Sequence, residues 1–173
     1  NSQLQFLAQA EGGNVEFWIK TNNIIDMAKT NQTTNFVLRN KVVLSDISQD
    51  FETNVNSKII IDQAGYFQDE VFGNSGPIPP QTGTPTTYTI VWKAQNLYNN
   101  VKNAKVKAVL PSNVELTGKI FPDNASLTFD SQSRELVWTI GDMPAGTGTT
   151  AFPASVAFQV ALTPSFGQRG SLA

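Results

Sequence analysis

Apolar and polar residues alternate along most of this chain with a period of two. Tyr88, Ile90 and Trp92 interleave with Thr87, Thr89 and Val91, and Val106, Ala108 and Leu110 with Lys105, Lys107 and Val109. Leu136, Trp138 and Ile140 oppose Val137 and Thr139, and Val156, Phe158, Val160 and Leu162 run together with Gln159 turned outward. That period predicts strands with one face buried. Shorter segments fill the gaps: Val114 and Leu116 ending near Gly118, then Ile120 to Pro122, then Leu127 and Phe129 before the hairpin loop Asp130-Ser131-Gln132-Ser133. With the β-branched run Lys58-Ile59-Ile60-Ile61 in front, about seven or eight strands fall between Lys58 and Leu162 at the spacing of an all-β sandwich. Trp92 and Trp138, each in step with aliphatic neighbours, are the expected centre of its core.

Residues 1–56 carry a sparser version of the pattern. Leu4, Phe6 and Ala8, then Val15, Phe17 and Ile19, read as two strands joined by a Gly-rich loop at Gly12-Gly13. Ile24 to Lys29 is too short for its period to choose between a helical turn and a strand. Phe36, Leu38 and Val42 to Leu44 suggest a strand or a hairpin turning around Arg39-Asn40, followed by a polar connection from Ser45 to Asn56. The chain therefore reads as a smaller or truncated β-rich domain over 1–56 and a sandwich over 57–173. Near the start of the sandwich lies a stretch with Pro77, Pro79, Pro80 and Pro85. Proline fixes φ and donates no ladder bond, so Gly76 to Pro85 is expected to be a stiff, extended connector that limits bending between domains. Asp62 to Gly73, with Tyr66, Phe67 and Phe72, is expected to cross from the first strand to it.

Composition narrows the function. The 173 residues include no cysteine and no histidine. Disulfides, thiol chemistry, histidine–metal sites and every histidine-based acid–base or triad mechanism are thereby excluded. The charge balance is 12 basic against 14 acidic residues, net −2, with no basic cluster to bind phosphates, so nucleic acid is not an expected partner. No apolar run reaches the roughly 20 residues that span a bilayer, so no membrane insertion is expected of these residues. The Asn/Gln/Thr/Ser-rich, weakly charged surface suits an exported protein.

Several motifs in order then resemble a known family. They are Asn74-Ser75-Gly76-Pro77-Ile78-Pro79-Pro80, Thr87-Tyr88-Thr89-Ile90-Val91-Trp92, Leu110-Pro111-Ser112-Asn113-Val114, the run Val137-Trp138-Thr139-Ile140-Gly141-Asp142-Met143-Pro144-Ala145-Gly146-Thr147-Gly148, and Val156-Ala157-Phe158-Gln159-Val160. Together they are similar to the conserved-repeat surface domains of bacteria and archaea, over roughly residues 58–173. The resemblance implies an immunoglobulin-like β-sandwich, cell-surface or extracellular display, a spacer, scaffold or adhesive role, and no catalytic residues. The implied partners are neighbouring domains of the same polypeptide, surface glycans or other surface proteins.

The remaining constellations are weak. Asp62, Asp69 and Glu70 could contribute oxygens to Ca²⁺, but calcium takes about six to eight and no EF-hand spacing is present, so a solvated acidic linker is the default. Asp123, Asp130 and Asp142 fall on separate loops. The close acid pairs, Asp50 with Glu52 and Asp69 with Glu70, lack the aromatic subsites of a glycoside cleft, and Ser131 and Ser133 lack an activating base. No cofactor, metal site or catalytic residue is expected. Lys58 and Lys93 are conceivable donors for an isopeptide cross-link and are expected to point to solvent instead. Asn31-Gln32-Thr33 and Asn124-Ala125-Ser126 match glycan acceptors but read as ordinary loops. Two rival functions keep a test: a carbohydrate- or protein-binding module would use exposed aromatics such as Tyr98 or Phe152, and a filament or surface-layer subunit would pair by strand addition, with Phe17 or Trp18 in the inserted strand.

Overall fold

A computed structural model describes residues 12–13, 16, 18, 34–44 and 46–168. The chain divides into two compact units, Asn1–Asn31 and Gln32–Ala173. The strand expected near residues 4–8 and the segment Ile24 to Lys29 lie outside the described residues; of the strand expected at 15–19 only Glu16 and Trp18 are described, both exposed and neither in a strand.

The second unit is all-β and antiparallel. Among the described residues its first two strands, β1 (Val37–Leu44) and β2 (Ile47–Asn54), pair only with each other. This decides one open expectation, in favour of the strand rather than the hairpin at Arg39-Asn40, and corrects another. The chain runs straight through Arg39-Asn40 as one strand and turns between Leu44 and Ile47, and the supposed polar connection is largely a strand. Ile47 and Phe51 are two apolar residues among eight in β2, too sparse for a period-two reading, and the pairing with β1 is what makes the strand.

Seven strands follow. β3 (Ile59–Tyr66), β4 (Thr86–Asn96), β9 (Ala154–Leu162) and β6 (Val114–Phe121) make one sheet in that order. β5 (Val101–Val109), β8 (Glu135–Met143) and β7 (Leu127–Phe129) make the other. Their inner faces share one core in which Trp92, Ala94, Val156, Phe158 and Val160 meet Ala104, Leu136, Trp138 and Met143. Both central indoles are sealed, at 3% and 4% exposure, and the Phe158 ring meets Trp92 edge-on at 5.0 Å. Burying rings of this size supplies much of the hydrophobic driving force.

Strand ends differ from the sequence reading where backbone irregularity hides continuity. The two short segments at Val114 and Ile120 are one strand, β6, whose register against β9 shifts between Leu116 and Ile120 around Gly118, at φ 89°. A bulge of this kind keeps a strand paired while breaking its period. β8 likewise continues through Gly141 to Met143, and β4 continues past Trp92 to Asn96.

The proline stretch is internal to this unit. Between β3 and β4 the chain folds back against the start of β4. Thr87 N–H donates to the Ser75 carbonyl at 2.8 Å, Ser75 N–H donates to Thr87 Oγ1 at 2.7 Å, and Thr86 Oγ1 donates to the Pro77 carbonyl at 3.0 Å. Gly76, at φ 114°, lies so close that a Cβ there would stand 2.6 Å from the Pro85 oxygen and the Thr86 Cα. The expected connector between domains is therefore a strap joining two paired strands of one sheet, because β3 and β4 are neighbours.

Candidate functional site

Three features of the second unit could carry function: a cleft, a polar seam and a latch at the hairpin. The cleft opens where the two sheets part along β3 and β5. It holds about 370 Å³ and is lined mainly by Gly65, Ile90, Trp92, Leu110, Phe158 and Val160. Its polar fixture is Gln63, whose Oε1 accepts the Trp92 indole N–H at 2.6 Å. Apolar walls with one satisfied amide and the Tyr88 side chain suit an apolar group.

The polar seam crosses the outer face of the four-stranded sheet beneath the strap. Asp69 Oδ2 accepts Thr89 Oγ1 at 2.7 Å and the Phe72 N–H at 2.9 Å. These bonds, the backbone N–H of Phe72 first and the Thr89 hydroxyl second, hold the Asp69 carboxyl below the ordinary carboxylate value. Asn74 Nδ2 donates to Thr89 Oγ1 and to the carbonyls of Tyr66 and Phe67, while its Oδ1 accepts Gln159 Nε2 at 2.8 Å. Thr117 Oγ1 donates to Gln159 Oε1 at 2.9 Å. Thr89 and Gln159 are thus buried on the face that strand alternation assigns to solvent, where Asp69 and Asn74, in the segment just before the prolines, bond to them.

The latch is built from asparagines, a residue type common in turns. Asn96 is fully buried, and its Nδ2 donates to the carbonyls of Asn99, Met143 and Pro144 at 2.8–3.0 Å. Its Oδ1 accepts Ser57 Oγ, and that hydroxyl in turn accepts the N–H groups of Tyr98 and Asn99. The Asn99 amide is wedged into the mouth of the β1–β2 hairpin. Its Oδ1 accepts Phe36 N–H at 2.6 Å, and its Nδ2 donates to the Phe36 and Val55 carbonyls. Tyr98 completes the joint by stacking edge-on against Phe36 at 6.3 Å.

The acids marked in the sequence do not come together. Asp62 is exposed on β3, Asp69 serves the strap, and Glu70 is exposed beside it. Among the described residues no three acids group as metal ligands. Asp130 accepts the Gln132 N–H, which holds its carboxyl below the usual range, and Asp142 accepts Asn103 N–H. Glu52 pairs with Arg39 at 2.8 Å across the hairpin, and Asp50 stands opposite Lys41. Ser133 accepts the Glu135 N–H. Lys58, Lys93 and Asn124 are exposed, whereas Asn31 lies outside the described residues. Phe152 is 95% exposed and Trp18 94%; Phe17 lies outside the described residues.

Sequence reasoning missed Asn96, Asn99, Ser57 and Arg134. Arg134, at φ 57°, donates to the carbonyls of Leu110, Pro111 and Val114, pairs with Glu115 and lies over the Phe129 ring, so it pins the turn into β6. No signal in residue type distinguishes it from a surface arginine.

No family model matches the chain. Comparisons with curated proteins and with solved structures find no match either.

Proposed function

We infer that this chain is a non-catalytic structural module of a cell-surface protein, an immunoglobulin-like sandwich acting as spacer and scaffold between neighbouring domains. One observation carries this reading. The first and last strands of the sandwich, β3 and β9, flank β4 on either side and both run antiparallel to it. Ile59, where the chain enters, lies opposite Asn96 at one end of β4, and Leu162, where it leaves, lies opposite Thr86 at the other. Tension between the two ends therefore slides β3 and β9 past β4 and loads all their ladder bonds at once.

The latch supports the same role, since it ties the incoming chain to the end where the load enters. With β3 to β9 lettered A to G, the sheets read A-B-G-D and C-F-E. The immunoglobulin constant arrangement is A-B-E-D and C-F-G, so the likeness is one of layered architecture with the fifth and seventh strands exchanged. The carbohydrate-binding alternative is weakened at Tyr98, which is committed to the Phe36 stack, and rests on Phe152.

Single-molecule pulling tests the spacer reading, and the absence of native cysteine makes handle attachment clean. With handles at Lys58→Cys and Thr163→Cys, force acts in shear. With handles at Lys58→Cys and Leu97→Cys, where Leu97 N–H meets the Lys58 carbonyl, it peels β3 from β4 one rung at a time. The shear geometry is expected to break at distinctly higher force; equal forces would remove the mechanical reading.

A further inference from the structure

The β1–β2 hairpin has two distinct faces and two oppositely charged strands. Arg39, Lys41, Asp50 and Glu52 share one face, with Arg39 opposite Glu52 and Lys41 opposite Asp50. Leu38, Val42, Ile47 and Phe51 lie on the other, exposed by 41%, 42%, 73% and 48%. A two-stranded ribbon with an uncovered apolar face is only marginally stable by itself, and among the described residues no other strand pairs with either of its outer edges. The edge of β1 carries both basic residues, and the edge of β2 carries both acids.

We propose that this hairpin is a self-assembly element: the β2 edge of one copy adds antiparallel to the β1 edge of a second copy, head to tail. In the register the hairpin itself uses, Glu52 of one copy would sit between its own Arg39 and the neighbour's, and Asp50 between two lysines. Opposite charges directly across neighbouring strands stabilise a sheet, and like charges destabilise it. That rule selects the occupant and the symmetry. A two-fold pairing of β1 with β1 centred on Asn40 would set Arg39 against Lys41, and one of β2 with β2 centred on Phe51 would set Glu52 against Asp50. The head-to-tail contact leaves a free edge at each end, so it extends rather than closes. The apolar stripes of successive hairpins become one continuous surface. This inference stands apart from the spacer reading and does not depend on it.

Backbone alternation supplies a clean test. Val55 N–H donates to the Phe36 carbonyl, so Phe36 and Val55 are a hydrogen-bonded pair. Counting along the register, Lys41 and Asp50 are a non-bonded pair whose N–H groups face outward. Proline at either position keeps the inner ladder and removes an outer donor. In sedimentation velocity over a concentration series, the 173-residue chain is expected to grow in mass with concentration, less so in added salt. Lys41→Pro and Asp50→Pro are each expected to stay monomeric. Their equimolar mixture is expected to stop at a dimer, because one variant keeps only its β2 edge and the other only its β1 edge. A wild-type chain that stays monomeric throughout, a proline variant that assembles like wild type, or a mixture that remains monomeric would each overturn the proposal.

Discussion

Asn96 and Asn99 follow one another within a turn, and residue type alone makes them turn formers. Their burial makes them something else. Replacing Asn96 by Leu keeps the volume but strands the carbonyls of Asn99, Met143 and Pro144 and the Ser57 hydroxyl, so a loss of about 3 kcal/mol in urea unfolding is expected. Asp69 gives a pH signature. Its carboxyl is held below its ordinary value of 3.8, so what it adds to stability is fully present above that value and is lost as pH falls below it. Asp69→Ala should therefore be less stable than wild type at neutral pH, with the gap in urea midpoint narrowing once the pH drops beneath 3.8. A gap that holds constant into acid would show that the Thr89 and Phe72 bonds do not depend on charge. Neither role was visible in the sequence, because an asparagine at a strand end and an aspartate in a loop look the same whether they face water or a carbonyl.

At the scale of elements, the readable parts were those whose period reports burial directly. β4, β8 and β9 are buried on the face that carries their large residues, and their alternation announced it. The unreadable parts were set by partners. β2 is a strand because β1 lies beside it, and β6 is continuous because Gly118 absorbs a bulge. The strap was legible as rigid and proline-rich but not as laid against β4, since nothing local to Gly76–Pro85 records that Thr86 bonds back to Pro77 and Thr87 to Ser75 just before it. Gly76 shows how closely it is laid down. Alanine there would need both a left-handed φ and the displacement of backbone atoms, at an expected cost of about 3 kcal/mol. Gly83, also at positive φ but with open space around it, should cost only about 1 kcal/mol, and the two midpoints measured side by side would separate crowding from dihedral strain.

At the scale of the whole molecule, the all-β class and the sealing of Trp92 and Trp138 were legible, whereas the order of the strands was not. Period two reports which face is buried and says nothing about which neighbour a strand will choose, and the choice here is long-range. β4 is bonded on one side to β3, just upstream, and on the other to β9, which begins only at Ala154. A chain emerging from the ribosome thus makes β4 early and must hold its second edge open until Leu162 has appeared. Through that interval the rim carrying Tyr88, Ile90 and Trp92 is open to any extended segment nearby, as late-closing sheets are in general. The period of greatest vulnerability for this protein is its own synthesis, and a chain stopped short of β9 is the form most prone to clump with its siblings.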